Sequence, residues 1–199
     1  DPSAVRAGAR RGADTALLLT GRRNPALALA LLRVQFYAQG LKEVDLWGYG
    51  ERPYLFARWV QQLWGESLGR TVGGEGGHRI GPTPLACLGS EDQHSLLQLF
   101  ADGPRARWLL VFSEDSPGPP LSAEARAFAG LPSSVPNVGA VLRALCEGTA
   151  RALGEAGLPV ARYGLGGADA ASLGEAFFVF MAATVFAAAL FEVDPFGQP

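Results

Sequence analysis

Lysine is almost missing from this chain of 199 residues: Lys42 stands alone, and arginine carries the rest of the positive charge. The formal net charge is −2, which argues against a nucleic-acid binder that relies on a broad basic field. The basic cluster Arg6-Ala7-Gly8-Ala9-Arg10-Arg11 reads as a solvated helix face. Cysteine is scarce as well. Cys87 and Cys146 sit among apolar neighbours and read as small core fillers, too few in so long a chain for a disulfide framework. No charged segment followed by an apolar one opens the chain, so a cytoplasmic protein is the expectation. Metal-ligand spacings such as C-x-x-C, H-x-x-x-H and H-E-x-x-H are absent, so no metal is expected. There is no G-x-x-x-x-G-K-[ST] loop, and neither Ser67 nor Ser95 lies in a G-x-S-x-G elbow.

Long hydrophobic runs are also lacking, with one exception at residues 176–190, bracketed by Glu175 and Glu192. That run falls short of the roughly 18–20 residues expected of a bilayer span. Its alanines and phenylalanines suit a helix buried on most sides, within the domain or at a subunit contact. Apolar residues make up 48% of the chain, enough to bury a substantial core in one domain.

Punctuation and periodicity divide the chain. A helix is expected over 2–20, with Ala4, Val5, Ala13 and Leu17 on its buried side. Asn24 caps a second helix over 25–39, with Pro25 at its first position. Residues 43–49 read as a strand. Pro53 opens a third helix to about Leu68, its apolar Phe56, Trp59, Val60, Leu63 and Trp64 at helical spacing. The glycine-rich 73–77 reads as a loop, and 79–88, with Pro82 and Pro84, as an edge or irregular strand. Ser90 and Gln93 fit an S-x-x-Q capping box for a helix running to Phe100. A buried strand follows at 107–112, a proline-rich excursion at 115–136, a helix at 138–156, a strand at 159–165 and the final apolar helix. Strands alternating with helices predict an α/β fold, a three-layer αβα sandwich around a mostly parallel sheet. Ligands of such sheets bind outside the carboxyl ends of the strands, and 65–77 and 89–94 are candidates to lie there.

Two constellations offer chemistry. Gln62 and Glu66 are four apart on the third helix, so both can face one cleft. His94, one of two histidines, stands near the start of another helix. A carboxylate, an amide and an imidazole suffice to move protons on a polar substrate without a metal. By spacing alone, however, Gln62 and Glu66 are equally two solvent-facing residues on a half-buried helix, and His94 is equally structural.

The sequence Gln61-Gln62-Leu63-Trp64-Gly65-Glu66-Ser67-Leu68-Gly69-Arg70 resembles the Gln-Gln-x-x-x-Glu-Ser-x-Gly-Lys motif of the glucose-6-phosphate isomerases. Asp92-Gln93-His94-Ser95-Leu96-Leu97-Gln98-Leu99 with Gly103-Pro104 resembles that family's Gln-His, Gln-Leu and Gly-Pro segment. Asp194-Pro195-Phe196-Gly197-Gln198-Pro199 resembles the start of its Asn-x-Phe-Asp-Gln-Pro-Gly-Val-Glu motif. The three occur in family order, over 59–70, 79–104 and 192–198.

This resemblance implies that residues 1–199 are the C-terminal sugar-isomerase (SIS) domain of a longer enzyme, without its N-terminal domain and extreme C-terminus. It implies interconversion of glucose 6-phosphate and fructose 6-phosphate through a cis-enediolate, without a cofactor. Glu66 would be the base that shuttles the proton. His94 would assist ring opening from the neighbouring subunit of a homodimer. Gln62 and Gln198 would line the substrate pocket. The departures are Arg70 for the family's lysine, Gly197 for its aspartate and Asp194 for its asparagine. The family's enediolate-stabilising arginine, phosphate loop and C-terminal lysine have no counterpart here, so the chain alone is expected to have little activity. The other readings are a sugar-phosphate-binding module without catalysis and an isomerase that also takes mannose 6-phosphate. No nucleic-acid or membrane partner is expected.

Overall fold

The computed structural model describes residues 1–18, 23–73 and 77–197. In chain order run α1 (Pro2–Ala16), α2 (Pro25–Ala38), β1 (Glu43–Gly48), α3 (Glu51–Leu68), β2 (Arg70–Val72), β3 (His78–Ile80) and β4 (Thr83–Leu88). Then follow α4 (Gly89–Asp102), β5 (Arg107–Ser113), α5 (Ala123–Phe128), α6 (Val138–Glu155), β6 (Val160–Gly164) and α7 (Ala170–Phe191). β4, β1, β5 and β6 form, in that order, a parallel sheet of four strands. β2 and β3 make a short antiparallel ribbon of their own, which the sequence reading of a loop followed by one extended segment did not anticipate.

The sequences of β1 and β5 dictate the layers. Both strands are buried along nearly their whole length, so each face of the sheet needs a helical cover. Val44, Leu46, Trp108, Leu110 and Phe112 turn to one face and pack with α2, α3 and α7. Trp47, Leu109 and Val111 turn to the other and pack with Phe100 of α4 and Cys146, Ala150 and Leu153 of α6. This is the expected αβα sandwich. Phe56 anchors the first core, its ring within 6 Å of the rings of Trp59, Phe112, Phe177 and Phe180. Arg33 lies in the same core with no exposed surface, its guanidinium against the Trp64 ring. Burial pushes its pKa well below the ordinary arginine value. Cys87 and Cys146 are free and buried, as expected of core fillers.

α7 is long and apolar enough to cross a membrane by length and composition, yet it packs on α1, α2 and α3. Its contact with α1 leaves Ala4, Val5 and Ala13 half-buried on the expected side of that helix but corrects Leu17. Leu17 is 78% exposed, and the residues buried are Gly8, Gly12 and Ala16. A Cβ at Gly8 would stand 1.8 Å from the Ala171 carbonyl oxygen, and one at Gly174 only 2.1 Å from that of Val5. Glycine is therefore required because two helix backbones touch, a role that a search for large apolar residues passes over. The helix also ends at Ala16 rather than 20; residues 19–20 lie outside the described residues.

Other expectations hold or shift slightly. Asn24 caps α2 as expected, its Oδ1 accepting the Leu27 N–H at 3.0 Å. α3 begins at Glu51, two residues before Pro53, which places that proline inside the first turn, where no N–H is needed. β4 is an edge strand, as its prolines suggested.

Asp45 lies on β1 with no exposed surface. Arg107 stands 3.5 Å from Asp45 and 2.8 Å from Glu43. Burial is the main influence and pushes the Asp45 pKa up to about 6; Arg107 lowers it and Glu43 raises it. The fold therefore favours the protonated acid. The native state binds more protons than the unfolded chain between about pH 4 and pH 6, so stability should fall as pH rises through that window, by about 3 kcal/mol, and level off above it. Asp45→Asn should flatten this part of a urea-unfolding profile measured against pH; an unchanged slope would place the dependence elsewhere.

Candidate active site

α3 starts at the carboxyl end of β1 and runs back across the sheet. Its outer face carries Tyr54, Arg58, Gln62 and Glu66 at intervals of four residues, which aligns them on one stripe. Gln62 Nε2 donates to Glu66 Oε1 at 3.1 Å, leaving the second carboxylate oxygen to meet another group. Arg58 Nη1 donates to Tyr54 Oη at 3.4 Å. Arg58, Trp59, Gln61, Gln62, Gly65 and Glu66 line an open groove of about 470 Å³. Gln62 and Glu66 are exposed in it. The expected pair is thus brought together. Arg58 was missed, although its place four residues before Gln62 was a legible signal.

The neighbouring Gln61 faces the other way. Its Oε1 accepts the Ala86 N–H of β4 at 2.7 Å. At the carboxyl end of the same strand, Asp92 Oδ2 accepts the Leu88 N–H at 2.6 Å. Pro84, the remaining residue on that side of the strand, has no N–H to offer. The outer edge of β4 is thereby blunted by one side chain from each of two sequence motifs, and among the described residues no strand pairs with it.

Asp92 also corrects the expected capping box. α4 begins at Gly89, and no side chain of its N-cap residue, Leu88, serves it; Asp92 reaches back to the Leu88 N–H instead. Gln93 is drawn inward, where its Nε2 donates to Tyr49 Oη at 3.0 Å and to Thr149 Oγ1. Burial pushes the Tyr49 phenol up to about 12, so it remains neutral. With Gln93 anchored inside, His94 is exposed on the outer side of α4.

Glu66 and His94 are not brought together within the chain. α3 and α4 cover opposite faces of the sheet. Segment 89–94 follows the carboxyl end of β4, as expected. Residues 65–73 lie at the opposite edge, because α3 reverses direction: Gly81, which leads into β4, packs against Gly69 at the end of α3; residues 74–76 of the expected loop lie outside the described residues. Gln198 lies outside the described residues. The residue before it, Gly197, is tied to the first motif through its carbonyl, which accepts from Arg70 Nη2.

The geometry can be set beside known proteins. No protein-family model matches the chain. A probable glucose-6-phosphate isomerase from Halobacterium salinarum is 35% identical over 98% of the chain and 47% of its own length. A glucose-6-phosphate isomerase from Rubrobacter xylanophilus is 33% identical over 100% of the chain and 45% of its own length. This chain is similar to glucose-6-phosphate isomerases over nearly its whole length. It spans about half the length of those relatives. A crystal structure of a hypothetical protein from Thermus thermophilus superposes over 100% of the chain with a TM-score of 0.87 and 31% identity, covering 47% of that protein. A glucose-6-phosphate isomerase from Chlamydia trachomatis shares the fold, with a TM-score of 0.79 and 16% identity over 98% of this chain and 39% of its own.

The second isomerase-like motif should tolerate loss of its inward amide poorly. Gln93→Leu would strand the Tyr49 and Thr149 hydroxyls, at a cost of about 1–3 kcal/mol. Urea unfolding should show a lower midpoint at unchanged slope; a midpoint within error of wild type would mean that these hydroxyls find other partners.

Proposed function

We propose that this chain is part of a glucose-6-phosphate isomerase, a cytoplasmic glycolytic enzyme that interconverts glucose 6-phosphate and fructose 6-phosphate. The observation that carries the reading is the Gln62–Glu66 pair at 3.1 Å on the wall of an open groove, within the isomerase-like motif. In the open-chain sugar, Glu66 takes the proton from C2 of the aldose. The electrons move to the carbonyl oxygen and give a cis-enediolate. A proton passes from the C2 hydroxyl to the C1 oxygen, the same carboxyl returns its own proton to C1, and the carbonyl now at C2 gives the ketose. Nothing is oxidised or reduced overall, so the reaction calls for no cofactor. A carboxylate suits the task because one group must both accept and return the proton. Gln62 holds one carboxylate oxygen and so leaves the other for the substrate. Gln198 is assigned to orient the sugar phosphate.

His94 is assigned to ring opening, where it gives a proton to the ring oxygen as the bond from that oxygen to the anomeric carbon breaks and the anomeric hydroxyl releases its proton to water to become the carbonyl. Glu66 and His94 stand in different layers of one chain, so a site that uses both draws them from two copies. We therefore read the active assembly as a homodimer with shared sites, related by a two-fold axis. The remaining half of the isomerase length would supply the phosphate anchor and a cation for the enediolate.

In the intact protein, Glu66→Gln should lower kcat for fructose 6-phosphate by about 10²–10⁴-fold while KM changes little. An unchanged rate would remove Glu66 as the base. Mixing and reassociating Glu66→Gln and His94→Asn chains should restore about a quarter of wild-type activity. Half of the dimers are then mixed, and each mixed dimer holds one site free of substitutions. No recovery on mixing, with mixed dimers detected by mass, would rule out the shared site.

A further inference from the structure

We propose that Arg70 is a positioning residue that fixes the tail after α7 against the end of α3, in register with Glu66. The proposal rests on the isomerase reading. α7 ends at Phe191, and Glu192 takes the left-handed conformation at φ 59°. The Val193 N–H then donates back to the Ala188 carbonyl at 2.9 Å. Asp194 Oδ1 accepts the Phe196 N–H, also at 2.9 Å, and turns the chain again. These two turns bring the Gly197 carbonyl to Arg70 Nη2. Arg70 Nη1 donates at the same time to the Gly69 carbonyl, at 3.1 Å. One half-buried guanidinium thus bridges Gly69, the residue that follows α3, and the last described residue of the tail.

Chemistry explains why arginine suits this place. The guanidinium is rigid and planar, with two Nη groups that point in different directions, whereas a lysine ammonium is a single point charge. Arginine can hold both carbonyls together. Gly69 is three residues beyond Glu66, and Gly197 immediately precedes Gln198. Any joint use of Glu66 and Gln198 on one substrate requires α3 and the tail to keep a fixed separation. Among the described residues, the Arg70 bridge is the side-chain hydrogen bond that joins residues 194–197 to the end of α3.

The test compares Arg70→Ala and Arg70→Lys in the intact protein. Hydrogen exchange is followed at the Phe196 amide, and steady-state kinetics are measured with fructose 6-phosphate. Both variants should speed Phe196 exchange, Arg70→Ala by about tenfold or more, while amides of β1 and β5 stay as protected as in wild type. KM should rise about tenfold with kcat within about threefold, because an orienting contact is lost and the base is kept. This split is opposite to that of Glu66→Gln. Unchanged exchange at Phe196 would overturn the bridge, whatever the kinetics. Faster exchange with unchanged KM would overturn the positioning role. Full recovery of both readouts in Arg70→Lys would overturn the requirement for a bridging guanidinium. A wild-type protein with no isomerase activity would remove the isomerase reading and the positioning role with it, while exchange alone would still report the bridge.

Discussion

Burial of β1 and β5 on both faces is the constraint from which the rest follows. With Val44, Leu46, Leu110 and Phe112 turned one way and Trp47, Leu109 and Val111 the other, neither face of the sheet tolerates water. Helices must cover both. The alternation of strand and helix along the chain then distributes α3 to one cover and α4 to the other. Glu66 travels with the first and His94 with the second. Their separation is a consequence of how the core is made, and it turns a question about catalysis into one about assembly.

The motif residues divide their labour more finely than their proximity in sequence implies. In Gln61-Gln62, one amide closes the edge of β4 and the other holds a carboxylate. In Asp92-Gln93-His94, one residue satisfies a backbone N–H, the next anchors to two buried hydroxyls, and the third is presented outward. Adjacent side chains on a helix point about 100° apart, so neighbouring motif positions serve different faces. The structural members hold the strand and helix on which the chemical members depend. A loss of activity on substitution within these motifs can therefore arise from either cause, and the stability of each variant separates them.

Much was legible before folding was considered. The αβα class followed from alternation, the α2 cap from Asn24-Pro25, the edge position of β4 from its prolines, and the Gln62–Glu66 pairing from four-residue spacing. What was illegible has physical reasons. The buried side of α1 is a stripe of glycine and alanine that touches the backbone of α7, and hydrophobicity does not mark such a contact. The cap of α4 was assigned to Ser90 and Gln93 because the pattern is local, yet Gln93 found a better-buried partner pair at Tyr49 and Thr149. The composition of segment 65–77 suits a ligand loop at the carboxyl edge, yet the direction of α3 takes residues 65–73 to the amino edge.

The sequence by itself determined most of the helices, the strands of the parallel sheet and which side chains can share a helical face, because those depend on spacing along the chain. It also carried the resemblance to the isomerases, because motifs are linear. Only the tertiary structure decided that Glu66 and His94 lie on opposite covers of the sheet, that α1 and α7 meet backbone to backbone, and that Arg70 grips the tail at Gly197. Each of these relates residues distant in sequence, the first by keeping them apart and the other two by bringing them together. Their relative placement is set by how two hydrophobic faces are buried at once, and no local pattern encodes that.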